Sequence, residues 1–117
     1  MDAGASNELV LDLDKLRQRF DDDLELLNEI FHVFIAEAPG RRADMEQALA
    51  AGDLSGLSRS AHSLKGVAGT MFAEPLRRAA YALEMAAKEG DADRSAPLTA
   101  ALLDLLETTC GHVRGLI

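Results

Sequence analysis

Apolar residues recur along this chain at steps of three and four, in blocks separated by short polar breaks that carry glycine, proline or aspartate. Asp12 offers an N-cap to a short helix over about 13–19, with Leu13, Leu16 and Phe20 on one side. Asp21-Asp22-Asp23 then favours the positive end of a helix over about 23–37 whose stripe is Leu24, Leu27, Ile30, Phe31, Phe34 and Ile35. Pro39 is expected to end or kink that helix, and a further one over about 40–51 uses Met45, Ala48 and Leu49. Gly52 suits a C-terminal cap and Asp53 the next N-cap. Leu54, Leu57, Ala61, Leu64, Ala68 and Met71 predict a helix over about 54–71 with a continuous buried stripe. Pro75 fits the first turn of a helix reaching about 88, with Leu76, Ala79, Ala80, Leu83 and Ala87 inward and Gly90 as its stop. After a turn from Asp91 to Pro97, a last helix over about 96–113 buries Leu98, Leu102, Leu105, Leu106 and Val113.

Short connections between amphipathic helices make neighbours antiparallel, so the expected fold is all-α: an antiparallel four-helix bundle with an additional short N-terminal helix. The bundle is assigned to residues 9–117 and a flexible tail to residues 1–8. No segment alternates as a strand would, and neither repeats nor low-complexity tracts occur.

Composition narrows the function. At 117 residues, 48% hydrophobic but only 4% aromatic, the chain suits one helical core. No apolar run approaches the roughly 18 residues of a membrane span, and the first residues lack a basic start and apolar centre, so a cytoplasmic protein without membrane insertion is expected. The one cysteine, Cys110, excludes an internal disulfide and a cysteine-based zinc cluster, and its place in a helical pattern reads as core. A formal charge of −8 argues against nucleic acid as a partner. That charge is uneven: residues 1–53 hold 5 Lys/Arg against 13 Asp/Glu, whereas residues 54–90 hold 5 against 3. The stretch around residue 60 is the only locally basic part of an acidic chain, and an acidic or phosphorylated partner would meet it there.

Within that stretch lies a helix that keeps two glycines, each costing roughly 1 kcal/mol relative to alanine. Its sequence is Ala61-His62-Ser63-Leu64-Lys65-Gly66-Val67-Ala68-Gly69-Thr70. At about 100° per residue, His62 lies beside the buried stripe and shares its face with Ser58, Arg59, Lys65, Gly66 and Gly69. A neutral imidazole presents an unprotonated nitrogen and can act as a nucleophile. Lys65 and Arg59 could neutralise oxygens arriving on that nitrogen, and bare backbone at Gly66 and Gly69 would let a partner approach. These features suit a histidine that accepts and donates a phosphoryl group. The residues alone fit a solvated surface histidine equally well. The sequence has no Walker-type or kinase-type glycine loop and no Asp/Asn set for Mg²⁺ and nucleotide, so a phosphoryl group would have to come from a partner.

His62-Ser63-Leu64-Lys65-Gly66, with Ala61 before it and Ala68-Gly69 after it, resembles the histidine-containing phosphotransfer (HPt) domain of two-component phosphorelays. Glu37-Ala38-Pro39, the Gly52-Asp53 break and Ala82-Leu83-Glu84 on the following helix agree with it. The resemblance implies that His62 is the phosphorylated residue, through Nε2, that Lys65 steadies the phosphoryl group and that Gly66 leaves room for a receiver domain. The partners it implies are receiver domains, which would bring Mg²⁺, and a sensor histidine kinase; the chain itself would need no cofactor and would act as a monomer. One departure is Phe72, where many members have glycine ten residues after the histidine. In the related chemotaxis-kinase phosphotransfer domains a second histidine on the next helix faces the first, and Tyr81 takes the corresponding place here. That type, phosphorylated by a kinase domain, and a non-catalytic adapter bundle are the alternatives. A di-iron bundle is disfavoured: Glu29 and His32 make one Glu-x-x-His step where two and further glutamates are needed. His112 reads as a favourable charge at a helix C-terminus.

Overall fold

A computed structural model describes residues 9–117; the tail expected over residues 1–8 lies outside the described residues. The described chain is all-helical: α1 (Leu13–Arg19), α2 (Leu24–Ala50), α3 (Leu54–Thr70), α4 (Glu74–Lys88) and α5 (Ala92–Arg114). Helices α2 to α5 form the antiparallel four-helix bundle, with α3 on α2 and α4, and α5 on α4 and α2. The short α1 closes one end. Its Leu16 is fully buried, and the Asp12 N–H just before it donates to the Phe72 carbonyl in the α3–α4 turn (3.0 Å).

Four of the five helices start alike, α4 alone lacking a side-chain cap at Ala73. Asp12, Asp23, Asp53 and Asp91 each accept a hydrogen bond from the backbone N–H three residues on, capping α1, α2, α3 and α5. Helices α2 and α4 close on Gly52 and Gly90, both at positive φ, with the paired backbone bonds of a Schellman turn. The end of α3 has the same bonds, from Phe72 to Gly69 and from Ala73 to Ala68, but the left-handed residue is Phe72 at φ 54°. A side chain there costs about 1–2 kcal/mol. The half-buried Phe72 ring offsets this by packing against the core. The departure at Phe72 thus concerns how α3 ends and where α1 is tethered.

Two expected boundaries are corrected. The helices anticipated over 23–37 and 40–51 are one 27-residue helix that continues through Pro39. The proline forgoes one backbone bond, but Leu27, Phe31, Phe34, Ala38 and Met45 lie on one continuous buried face. Just past it, Arg41 donates to Ser63 Oγ (3.0 Å) and Arg42 to the Leu103 carbonyl (3.2 Å), binding α2 to α3 and α5. Helix α5 begins at Ala92 rather than near 96, because Asp91 caps it directly after Gly90 and Pro97 is accommodated inside. Its inner face carries hydroxyls as well as leucines: Ser95, Thr99 and Thr109 are buried, each donating to the carbonyl one turn back. Leu24 was expected in the stripe of α2 but is 63% exposed at its first turn.

The stripe predicted on α3 is the centre of the bundle: Leu57, Ala61, Leu64 and Ala68 are all fully buried. Burial of a leucine contributes about 1.5–3 kcal/mol, so this one helix readily carries Gly66 and Gly69 on its outer side.

Candidate functional site

Helix α3 has a fixed rotation because its stripe is locked into the core. That rotation sends His62 outward, with its side chain 66% exposed. Helix α4 runs antiparallel beside it, so as α3 advances from residue 62 to 65, α4 returns from 84 to 81. This register brings Glu84 against His62 and both Glu84 and Tyr81 against Lys65.

Glu84 organises the site. Its side chain is only 12% exposed, and its Oε2 lies 2.8 Å from His62 Nδ1 while Oε1 lies 2.8 Å from Lys65 Nζ. A carboxylate so far out of water is retained because it is paired. The Lys65 ammonium, opposing desolvation and aided by the His62 hydrogen bond, holds the Glu84 carboxyl below its usual range. Glu84 is therefore ionised at neutral pH and can only accept hydrogen bonds. Nδ1 of a neutral His62 must then carry the proton and donate it, which leaves Nε2 with its lone pair, facing outward. The Lys65 contact has ion-pair distance but poor hydrogen-bond direction, and Oε1 is otherwise buried without a donor.

The other residues named with His62 in the sequence have different surroundings. Ser58 donates its hydroxyl to the Glu84 carbonyl (3.2 Å), tying α3 to the backbone that carries the carboxylate. Arg59 is exposed and held by Ser55 Oγ (2.9 Å) one turn back, beside a polar groove that also contains His62, Glu84 and Lys88. At Gly66 a Cβ would meet nothing within 4 Å, and at Gly69 only the Arg77 side chain at 3.7 Å. Neither glycine is demanded by packing within this chain. On the other side of His62, Gly66 and Ser63 border an apolar groove of about 490 Å³ between α2 and α3, built by Ile30, Val33, Phe34, Val67 and Met71.

Sequence reasoning placed Glu84 in a motif without a role. The available signal was a single acid within Ala82-Leu83-Glu84-Met85-Ala86-Ala87, on the otherwise apolar side of α4. Tyr81, expected in the place facing the histidine, sits one turn away against Lys65, its ring centroid 5.2 Å from Nζ. Among the described residues no group of three or more His, Cys, Asp and Glu is placed to hold a metal ion. His32 is exposed, with Nδ1 2.8 Å from the Asn28 carbonyl of its own helix, and Cys110 is buried, where desolvation pushes its thiol up. No helix among the described residues is long and apolar enough to cross a membrane.

Residues 29–114 match the family model described as the Hpt domain. Among solved structures, the chain is similar to histidine-containing phosphotransfer protein B (HptB) of Pseudomonas aeruginosa PAO1, at 24% identity and a TM-score of 0.84 over 91% of this chain and 92% of that one. It is also similar to the HPT domain from an Hpt sensor hybrid histidine kinase of Shewanella, at 19% identity and a TM-score of 0.80 over 92% of each. No curated protein matches.

Proposed function

Because the chain belongs to the Hpt domain family, whose role is histidine phosphotransfer in phosphorelays, we propose that His62 accepts a phosphoryl group from a receiver-domain aspartyl phosphate and passes it to another receiver. The observation that carries this reading is the 2.8 Å contact between His62 Nδ1 and the buried, ionised Glu84. In the neutral ring it places the proton on Nδ1 and leaves the Nε2 lone pair free, the form a nucleophile needs.

In the forward step, the Nε2 lone pair attacks phosphorus in line with the aspartyl oxygen. An N–P bond forms, the P–O bond to the aspartyl group breaks, and that group leaves as a carboxylate. No proton has to move, because Nδ1–H stays on the ring and donates to Glu84 throughout. The ring gains positive charge as the bond forms, and the adjacent carboxylate stabilises it. The same charge makes the imidazole a good leaving group when a second receiver's aspartate attacks. Lys65 is within reach of oxygens on Nε2 and offsets part of the roughly −1.5 to −2 charges a phosphoryl group adds. Mg²⁺ belongs to the receiver's side of the reaction. The groove at Val33, Ile30 and Val67 offers the receiver an apolar footing, and bare backbone at Gly66 lets it close over His62.

The test is transfer of label from phosphorylated receiver domains to the protein. Acid-labile label should appear on His62, and His62→Gln should abolish it without loss of fold, since the side chain lies outside the core. Full transfer in that variant would sink the assignment. Label that comes only from a kinase domain with ATP would favour the chemotaxis-kinase type, and binding without label from either source would favour an adapter.

A further inference from the structure

Lys65 has two partners on one turn of α4, and the second has no role in the chemistry described above. Its Nζ is 2.8 Å from Glu84 Oε1 but out of line for a good hydrogen bond, and it is also 5.2 Å from the Tyr81 ring centroid. A lysine ammonium on four rotatable bonds is not fixed by one misaligned ion pair. An aromatic face within about 6 Å attracts it and narrows the positions it can take. Glu84 cannot supply that restraint alone, because its other oxygen is committed to His62. The tyrosine is not there to fill the core, being 48% exposed on the same face of α4 as Lys65's carboxylate partner, one turn from Glu84.

We propose that Tyr81 is a positioning residue for phosphotransfer: its ring face holds the Lys65 ammonium at the His62 edge of the α3–α4 seam, ready to move onto phosphoryl oxygens arriving at Nε2. The ring touches no reacting atom and acts through Lys65. A ring contact is suited to this because it orients the cation without a strong bond that must break when the phosphoryl group arrives. The inference rests on the phosphotransfer reading of His62, and its consequences separate from that reading.

The experiment is single-turnover transfer from a phosphorylated receiver to the wild type, Tyr81→Phe, Tyr81→Leu, Lys65→Ala and the double variant Lys65→Ala/Tyr81→Leu. Tyr81→Phe keeps the ring and should stay within about twofold of wild type, whereas Tyr81→Leu should slow the step about two- to fivefold at saturating receiver. The receiver concentration for half-saturation should not change. In the Lys65→Ala background, Tyr81→Leu should add nothing, because the contact it removes is already gone. A second measurement needs no phosphoryl group: the NMR signals of the Lys65 ε-methylene should shift in Tyr81→Leu and hold in Tyr81→Phe. The proposal is overturned if Tyr81→Leu slows transfer equally without Lys65, if Tyr81→Phe is as slow as Tyr81→Leu, if only half-saturation changes, or if the Lys65 signals stay put. If no receiver labels His62, the phosphotransfer reading fails, and the NMR comparison still decides whether the ring holds the lysine.

Discussion

Helix α3 has a seam on each side, and the two differ in kind. Toward α4 the seam is polar and tightly paired, with His62, Lys65, Glu84 and Ser58 joined by short contacts. Toward α2 it opens into an apolar groove whose Val33 is 54% exposed. The first seam fixes a tautomer and pairs a cation; the second has surface to offer and no chemistry. His62 lies on α3 between them, so a receiver seated in the apolar groove, as proposed, would bring its reactive group over the imidazole. On that reading the difference separates two tasks, reactivity and recognition, and each should be breakable alone.

The largest effect should come from the polar seam. Glu84→Ala removes the acceptor that fixes Nδ1–H, so neither the tautomer with Nε2 free nor the ring orientation is enforced, and the positive charge that develops on the ring is no longer offset. Transfer at saturating receiver should fall about tenfold or more, with half-saturation little changed. Glu84→Gln, whose amide oxygen still accepts from Nδ1–H, should lie between Ala and wild type. A Glu84→Ala protein that transfers at the wild-type rate would mean the carboxylate serves stability alone. The apolar seam should show the opposite signature. Val33→Asp places a charge where a receiver would bury a methyl-bearing surface, and should raise half-saturation about tenfold, a cost of about 1.4 kcal/mol. An altered rate at saturation would instead place α2 within the chemistry.

Much of this contrast was legible in the residues, and what was hidden is instructive. The α3 stripe and the caps at Asp12 and Asp53 are local, so periodicity and cap chemistry located them, and with them the outward face of His62, whereas the Asp91 cap was read as part of a turn. Pro39 misled because its effect on α2 is decided by Arg41, Arg42 and a shared buried face, which are tertiary facts. Phe72 was visible as a departure, but its left-handed backbone was not, since sequence marks such positions through glycine. Glu84 was hidden for another reason. Pairing with His62 and Lys65 depends on the antiparallel register of two helices, and no spacing within either helix encodes it.

The pH dependence of stability sharpens the account of the polar seam. Glu84's carboxyl is held below its ordinary value of 4.5, chiefly by the Lys65 ammonium. Its folded form binds its proton less readily than the unfolded chain, so its contribution is fully present above about pH 4.5 and is lost as pH falls through the lowered folded value. Glu84→Gln should therefore unfold more easily than wild type at pH 7, by about 1–2 kcal/mol, and the gap should close in acid below the carboxylate range. Denaturant titrations of both proteins across that range would read it. A gap independent of pH would trace the loss to packing.

The smallest effect has the opposite sign and tests whether the outer side of α3 is shaped for a partner. Gly66 lies within α3, and a Cβ there meets nothing within 4 Å. Within this chain alone, Gly66→Ala should raise stability by about 0.5–1 kcal/mol, through helix propensity. If the bare backbone exists so that a receiver can close over His62, the same methyl group should weaken docking severalfold and leave the rate at saturation nearly intact. The chain would then be keeping a less stable helix for the sake of a surface it does not itself bury. Unfolding and transfer measured on one preparation decide this, since a variant that gains stability and docks as well as wild type would leave Gly66 without a role in recognition.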